Sequence, residues 1–414
     1  MHFDTADDGF RETATQWLSS LNDATLGDLS AVLSLSPGFY PTTLYALWQD
    51  EIERRGVAAL PRATCEAPRR PDVPVGHPHD CDWRFTPEAA GELVQRAVED
   101  LAPGELVAHL GTPTTFTVGV ERYPDFRHVL LERNSIMTAA LRTKHPAGGE
   151  ILCIDLAVSK PPPLGASAAI LDPPWYLGDS LTFLAASSHL CHHGAHIWLC
   201  QPTQATRPGV EGERATLTAE LPYLGLQLEA THTSAVRYTM PHFEAMSLRS
   251  TAASLRVPPD WRTGDLIVLR KIAAASREPA APGSDTDWEE VHFGPVRIKL
   301  RVTDAIEELA SLVPGDVLGT VSRRDPIRPR IGLWTSGNRV FALGDPERVG
   351  GLINLCNADL EAIRFTLART LDHARQLGMS ASTAQRLFDL LLVELQEHTA
   401  SEGHTWASSR YLAS

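Results

Sequence analysis

The sequence predicts an α/β protein with a mostly parallel central sheet. Between residues 82 and 274, short apolar segments alternate with segments of helical periodicity, which is typical of strands joined by right-handed helical crossovers. One apolar run, residues 168–171, ends at Asp172, because Pro173 and Pro174 lack the N–H donors that a central strand needs. In doubly wound sheets, ligands bind outside the carboxyl ends of the strands, so this turn lies where chemistry is expected.

Composition and charge limit the class of protein. The 414 residues exceed one typical domain, and a hydrophobic content of 43% is enough for a sizeable core. The net charge of −14 argues against general nucleic-acid binding by the whole surface, although a local basic groove is compatible with it. No apolar run reaches the roughly 18 residues needed to span a membrane. The acidic N-terminal segment and six scattered cysteines predict a cytoplasmic location.

Two regions precede the sheet. Residues 1–56 predict a helical region of three short helices, because apolar residues recur at helical spacing between breaks near 22–25 and 36–38. Residues 57–81 are a Pro/Arg-rich linker. The linker holds four residues of zinc-ligand type whose spacing matches no common template, so zinc stays an open question and no metal is predicted: Cys65, His77, His79 and Cys81.

The sheet region, residues 82–274, is then assigned element by element. Its first helix begins at Thr86-Pro87, because threonine caps helices and proline fits the first helical turn. We expect helices at residues 86–101, 114–123, 135–143, 179–190 and 215–223. We expect strands at residues 105–110, 128–131, 150–154, 168–171, 195–199, 225–229, 235–240 and 264–270.

Three regions follow the sheet. Residues 275–287 are a second linker, 288–345 a small β-rich module, and 346–414 C-terminal helices. We expect the strands of the module at residues 290–293, 296–302, 317–321, 331–334 and 340–343, and two helices at 358–376 and 381–397. The helices at either end of the chain are candidate contacts for a protein partner.

The Asp172 turn suits methyl transfer to a planar amine. A carboxylate and a nearby proline-region carbonyl can accept the two N–H hydrogens of adenine's exocyclic amine, which directs the nitrogen lone pair towards a methyl donor. Trp175 or Tyr176 offers a ring on which an unstacked base can lie. The alternative interpretation is a rigid strand-to-helix turn with an aspartate that caps the helix.

The segment Asp172-Pro173-Pro174-Trp175 resembles the catalytic motif of S-adenosylmethionine-dependent amino-methyltransferases. That group includes adenine-specific DNA and RNA methyltransferases and adenine-methyltransferase-like protein lysine methyltransferases. The resemblance covers about residues 100–200. It implies a Rossmann-like class I methyltransferase sheet, S-adenosylmethionine as the methyl donor and catalytic roles for these four residues.

The end of the first strand is the candidate cofactor loop. Gly111 would let a nucleotide approach the backbone, and the following helix start supplies N–H groups. The candidate residues here are His109, Gly111, Thr112 and Pro113. Methyltransferases of this type usually carry two or three glycines after this strand, whereas this chain has one, which resembles the lysine methyltransferases of the group.

Two further strand ends carry carboxylates. Glu132 follows the second strand, where an acidic residue can accept both ribose hydroxyls of a nucleotide. Asp155 follows the third strand, where an acidic side chain commonly reads the adenine amine of the donor. For each, the alternative interpretation is a surface turn residue.

A basic cluster lies in the β-rich module. Arg323, Arg324, Arg328 and Arg330 concentrate positive charge in an acidic protein, and guanidinium groups match phosphate oxygens. The cluster is therefore a candidate substrate contact with nucleic acid, or else a salt-bridged surface.

Together these features predict a methyltransferase whose acceptor is most simply the exocyclic amine of adenine in nucleic acid. Two alternatives stay open. One is a protein lysine methyltransferase, which the acidic surface favours because its substrate is cationic. The other is a catalytically degenerate scaffold or nucleotide sensor, which the single-glycine loop favours.

Overall fold

The computed structural model describes residues 5–59, 74–253, 255–277, 288–302 and 309–401. The described residues fall into two compact units. With the gaps given above, unit 1 comprises residues 5–59, 83–240 and 256–277, and unit 2 comprises 74–82, 241–255 and 288–401. No described helix is long and apolar enough to cross a membrane.

Unit 1 begins with helices, as predicted, but the described residues form four instead of three. They are α1 (Thr5–Ser20), α2 (Asp23–Gly27), α3 (Leu29–Leu35) and α4 (Pro41–Arg55). The predicted middle helix is divided at Asp28, whose carboxylate accepts a hydrogen bond from the Ser30 N–H at 2.9 Å. Aspartate favours such a capping position over a helix interior.

The elements of the sheet region follow in chain order. They are β1 (Arg84–Phe85), α5 (Pro87–Val98), β2 (Leu106–Leu110), α6 (Pro113–Arg122), β3 (Arg127–Glu132), α7 (Ser135–Lys144), β4 (Glu150–Cys153), β5 (Ala166–Leu171), α8 (Leu177–Leu190), β6 (Cys191–Pro202), α9 (Val210–Glu220), β7 (Leu226–Thr239), α10 (His242–Thr251) and β8 (Arg262–Lys271). Helix α10 belongs to unit 2 and the other elements to unit 1.

The strands form one eight-stranded sheet in the order β1-β7-β8-β6-β5-β2-β3-β4. Five neighbouring strands of this sheet are parallel to one another, namely β6, β5, β2, β3 and β4. Numbered along the chain from β2, these five follow the doubly wound order 3-2-1-4-5. Strand β8 lies antiparallel between β6 and β7. The predicted Rossmann-like sheet is therefore confirmed, and β8 is the strand predicted at 264–270.

The two central strands explain why this sheet is readable in the sequence. Every residue of β2 and of β5 is buried, and both are apolar or small with a single histidine in β2. Strands covered by helices on both faces need such unalternated apolar runs. The Thr86 cap is also confirmed, because its hydroxyl accepts a hydrogen bond from the Ala89 N–H at 3.2 Å.

Strand β7 replaces the two strands predicted at 225–229 and 235–240. Its pairing with β8 is irregular near Leu228 and again between His232 and Val236. Ser234 adopts a φ of 50° in the second irregularity. The polar residues there resemble a turn in the sequence, but the pairing with β8 resumes on both sides.

Two helices in this region also differ from the prediction. Helix α9 begins at Val210, earlier than the predicted 215, since Gly209 turns the chain with a φ of 83°. No helix was expected at α10, which begins directly after Pro241.

Unit 2 combines a small antiparallel sheet with helices. Its further elements are β9 (Glu289–Phe293), β10 (Val296–Leu300), β11 (Ala310–Ser311), β12 (Leu333–Thr335), β13 (Val340–Ala342), α11 (Pro346–Glu361), α12 (Leu367–Gln376) and α13 (Ala381–Ser401). The strands are ordered β11-β13-β12-β10-β9. Apolar residues of the sheet and helices share one core that includes Phe293, Leu300, Leu352 and Leu391. The predicted β-rich module and C-terminal helices thus lie in a single unit.

The predicted linker at 57–81 also contributes to unit 2. Asp80 accepts from Arg297 Nη2 at 2.6 Å and from Lys299 Nζ at 2.7 Å. Both cations come from β10 and are almost fully buried. Buried cations need a carboxylate partner, and this segment supplies one.

Two predictions for unit 2 are wrong in detail. Residues 317–321 contribute an isolated bridge between Val317 and Arg339 in place of a strand. The helix predicted at 358–376 covers only the end of α11, which begins earlier at Pro346, and all of α12. The two are separated because Ile363 has a φ of 56° and the Thr366 hydroxyl then caps α12.

Candidate functional site

The candidate site lies at the switch point of the sheet, where β2 and β5 are neighbours. Gly111 follows β2 and donates its N–H to Leu131 O at 2.9 Å, while Asp172 follows β5 and donates its N–H to Leu110 O at 3.2 Å. A doubly wound sheet opens a crevice beyond these two strand ends. The predicted cofactor loop and the predicted catalytic turn are therefore adjacent.

Gly111 is required by this geometry. Its φ is 63°, which L-residues with a side chain rarely adopt. A Cβ atom there would lie 3.0 Å from Phe183 Cε1 and 3.4 Å from Asp172 O. The single glycine of the loop thus keeps the backbone open against the Asp172 turn.

The Asp172 carboxyl group is half-buried and has two neutral hydrogen-bond donors. Tyr238 donates its hydroxyl to Oδ1 at 2.8 Å, and the Trp175 side chain donates a second hydrogen bond. Burial raises the pKa of Asp172 to about 7, against the two hydrogen bonds and the charge of Arg262, which favour the ionised form. At neutral pH this carboxyl group can both release and accept a proton.

The Trp175 ring packs against neighbouring side chains and is only partly exposed. Its ring meets Tyr238 edge-on, with centroids 5.4 Å apart at 84°, and the Arg262 guanidinium lies 4.7 Å from its centroid. A Cβ atom on Gly264 would lie 3.0 Å from Trp175 Cζ2. In this structure the ring positions the Asp172 carboxyl group, so a stacking role for Trp175 would use only part of its surface.

The rest of the turn is held by hydrogen bonds. The Tyr176 N–H donates to Pro174 O at 2.7 Å, so that carbonyl is engaged within the turn. Arg207 donates to Trp175 O at 2.8 Å, and its guanidinium lies 5.7 Å from the centre of the Tyr176 ring. Pro173 is buried and Tyr176 is half-exposed. Both predicted aromatic contacts, Trp175 and Tyr176, are therefore partly exposed.

Sequence reasoning missed Tyr238 and Arg262. Arg262 opens β8, and its guanidinium lies 4.0 Å from the ring centre of Trp83 and 5.8 Å from that of Trp261. Three indole rings therefore surround one cation, counting Trp175. The sequence holds only one indirect signal for these two residues, which is that the last strands of this fold have to pair antiparallel beside β6.

Glu132 and Asp155 lie at the strand ends expected of them. Glu132 ends β3, and its Oε1 accepts from the Asn134 N–H at 2.9 Å. Asp155 stands two residues after β4, and its Oδ1 accepts from the Ala157 N–H at 2.9 Å. Both carboxylates are half-buried and are oriented by turns that follow parallel strands. Their contacts with a donor stay predictions.

His109 requires a correction. Its side chain is fully buried, with Nδ1 2.9 Å from Thr115 Oγ1 and Nε2 3.1 Å from His128 Nδ1. Burial holds the pKa of His109 well below its usual range, so the ring is neutral. Both ring nitrogens are engaged within the core, and a side-chain contact with a cofactor is excluded in this arrangement. Thr112 and Pro113 are buried at the start of α6, as the helix opening requires.

The arginine cluster lies in unit 2 and is described separately. The Arg328 guanidinium lies 4.5 Å from the ring centre of Trp334, while Arg324 is exposed and Arg323 half-exposed. Stacking of this kind is structural and leaves phosphate binding by the cluster a prediction.

The predicted zinc-ligand types also lie partly in unit 2. His77 is fully buried, with Nε2 3.0 Å from Trp334 O and Nδ1 accepting from the His79 N–H at 3.1 Å. Cys65 lies outside the described residues. The contacts of His77 are those of a core residue.

Comparison with known proteins gives a likeness of fold. No family model matches the chain, and no curated protein matches it in sequence. The branched-chain polyamine synthase of Thermus thermophilus, in complex with N4-aminopropylspermidine and 5'-methylthioadenosine, is 16% identical over 66% of this chain and 91% of its own, with a TM-score of 0.47. A putative RNA methyltransferase from Pyrococcus horikoshii is 16% identical over 46% of this chain and 88% of its own, with a TM-score of 0.34.

A geranyl diphosphate methyltransferase in complex with its S-adenosylmethionine cofactor is also similar. It is 11% identical over 44% of this chain and 85% of its own, with a TM-score of 0.32. Such values assign no activity to this chain.

Proposed function

We propose that this chain is an S-adenosylmethionine-dependent methyltransferase with an amine acceptor. The observation that carries the proposal is the half-buried Asp172 carboxyl group, with a pKa of about 7, on a rigid Pro-Pro turn at the switch point. When bound, the donor supplies an electrophilic methyl group on a sulfonium sulfur.

The residues present fit such a donor. Gly111 leaves room beside the Asp172 backbone, and α6 begins directly after the loop with N–H groups at its first turn. Glu132 would accept the ribose hydroxyls, and Asp155 would read the adenine amine of the donor. Carboxyl groups lie at or just after the ends of three strands of the site, so its charge favours a cationic sulfonium compound.

Asp172 would act on the acceptor amine. Its carboxylate accepts an N–H hydrogen and aims the nitrogen lone pair at the methyl carbon. As the N–C bond forms, the S–C bond breaks and its electron pair returns to sulfur. The nitrogen then carries a positive charge, and its surplus proton passes to Asp172. A pKa near neutral suits both the acceptance of this proton and its later release to water.

The first candidate acceptor is the exocyclic amine of adenine in nucleic acid. Its support is the resemblance of the Asp172 turn to amino-methyltransferase motifs, with the half-exposed Tyr176 ring as the stacking surface.

A protein lysine is the second candidate acceptor. A general base with a pKa of about 7 is of greater use to an aliphatic amine, which is protonated at neutral pH, than to adenine. The packing of Trp175 against Arg262 also leaves less ring surface for a base. The net charge of −14 favours a cationic substrate.

Donor binding is tested first, by thermal shift and calorimetry with S-adenosylmethionine and S-adenosylhomocysteine. Both should raise the melting temperature by mass action, and Glu132→Ala should remove most of the shift. Glu92→Ala, an exposed change on α5, is the matched control and should keep it. No shift of the wild-type protein at millimolar ligand would overturn the proposal and favour the scaffold alternative.

The acceptor is tested by methyl transfer from labelled donor to adenine-containing RNA and DNA and to lysine peptides, across pH. With adenine, the rate should level off above the pKa of Asp172. With lysine, it should continue to rise through the alkaline range, because the free ammonium must lose a proton.

A further inference from the structure

A cluster of buried titratable side chains in unit 2 has no part in the proposed function. His242 stands at the start of α10, while Glu394 and His398 lie on α13. Their exposed fractions are 4%, 0% and 0%. One nitrogen or oxygen atom from each lies within 4.8 Å of those from the other two. Such a set of ligand types is uncommon in a protein interior.

Glu394 shows why the cluster needs an additional partner. Its Oε1 accepts from Thr335 Oγ1 at 2.6 Å and from Arg339 Nη1 at 2.8 Å. Its Oε2 accepts no hydrogen bond from the described residues and lies 3.4 Å from His398 Nδ1. A buried carboxylate oxygen without a hydrogen bond is costly, so it calls for a ligand.

The charge of the cluster favours a cation. Arg339 bridges two carboxylates, since its Nη1 also lies 2.7 Å from Glu397 Oε2. One positive and two negative groups leave a net charge of −1 in this set. Arg339 therefore does not neutralise Glu394 completely, and a divalent cation would offset the remaining negative charge.

The two histidines bring nitrogen ligands to the same place. Their ring centroids are 4.1 Å apart. His398 Nδ1 lies 2.8 Å from Glu394 O, and Nε2 lies 2.9 Å from Ser336 Oγ. A bound ion would replace one of these contacts, and the other would fix the ring, as second-shell hydrogen bonds do in metal sites.

We propose that His242, Glu394 and His398 form a binding site for a divalent transition-metal ion, with zinc the best match. Two imidazoles and one carboxylate are a common zinc set with three protein ligands, which leaves a fourth position for another donor. The Glu-x-x-x-His spacing places two of the ligands on one face of α13. The ion ties α10 to α13 and stabilises unit 2.

The test uses the full chain, freed of metal by a chelator and dialysed. Titration with Zn²⁺ should show about one ion per chain with submicromolar affinity, and Co²⁺ should give visible absorption bands typical of nitrogen and oxygen ligands. Glu394→Gln and His242→Asn should each weaken binding at least about tenfold. The matched control is Asp389→Asn, because this residue also lies on α13 but is exposed and offers no proposed ligand.

Two outcomes would overturn the site. One is wild-type protein that binds neither ion below about 10 μM. The other is folded Glu394→Gln and His242→Asn variants that bind like wild type, which would move the ion elsewhere. If circular dichroism shows that these variants do not fold, X-ray absorption of the wild-type zinc complex decides the question. Absence of imidazole scattering there would also contradict the proposal.

Discussion

Two carboxyl groups, one in each unit, are treated in opposite ways by their surroundings. Asp359 on α11 is 4% exposed, and its Oδ2 accepts from Arg369 Nε and contacts His373 Nε2, each at 2.7 Å. The hydrogen bond from Arg369 lowers its pKa despite the loss of solvation. Asp172 has neutral donors in direct contact, and burial raises its pKa to about 7.

The difference separates a structural carboxylate from a reactive one. In unit 2, Asp359 is paired with Arg369 and His373, which favours its ionised form. Unit 1 holds one carboxyl group at the switch point without a directly bonded cation. A group held in this way is less stable as an anion and is therefore more reactive towards protons.

The largest expected effect is on catalysis. Asp172→Ala should lower the rate of methyl transfer about a hundredfold or more, because it deletes a hydrogen-bond acceptor that matters most in the transition state. Asp172→Asn should be milder, since an amide oxygen still accepts one hydrogen bond. Single-turnover rates measure the effect, with donor affinity as the control. Full activity of Asp172→Ala would reduce the motif to a turn.

The second effect is on stability. Because the pKa of Asp172 is raised on folding, from 3.8 to about 7, the folded state holds the proton more tightly. The contribution of this proton to the free energy of unfolding is fully present below about pH 4 and is lost as the pH rises to about 7. Asp172→Asn should therefore gain several degrees in melting temperature over wild type at pH 8 and little at pH 4. Parallel pH profiles would contradict this.

Asp359→Asn should change the stability in the opposite direction and by a smaller amount. The pKa of Asp359 is lowered on folding, so its contribution is present above the unfolded pKa and is lost as the pH falls through the folded value. We expect a loss of about 1 kcal/mol at pH 7, since Arg369 is partly exposed to solvent and the pair is screened. Urea unfolding at pH 7 and pH 3 measures the change. An equal loss at both would assign the effect to packing.

The smallest effect is expected from Tyr238→Phe. Loss of the hydroxyl removes a hydrogen bond that favours the Asp172 anion, so the pKa of Asp172 should rise further. The acid limb of the rate profile should move to higher pH with the plateau nearly kept. A limb that stays in place would remove Tyr238 from the site.

The sequence by itself determined the parallel strands, most of their positions along the chain and the position of the Asp172 turn. Those features are local, because an unalternated apolar run, a proline pair or a Thr-Pro helix start carries its own physical reason. Glu132 and Asp155 were found in the same way, as the polar residues that follow buried strands.

Only the tertiary structure decided what surrounds these residues. Tyr238 and Arg262 reach Asp172 from β7 and β8, and no local pattern announces that approach. The direction of His109 into the core was likewise hidden, since a histidine in an apolar strand can face either way. A pKa and a ligand set are properties of groups that meet in space. The packing of distant elements, rather than any single segment, buries Asp172 and thereby raises its pKa, and it places His242 of α10 near Glu394 and His398 of α13.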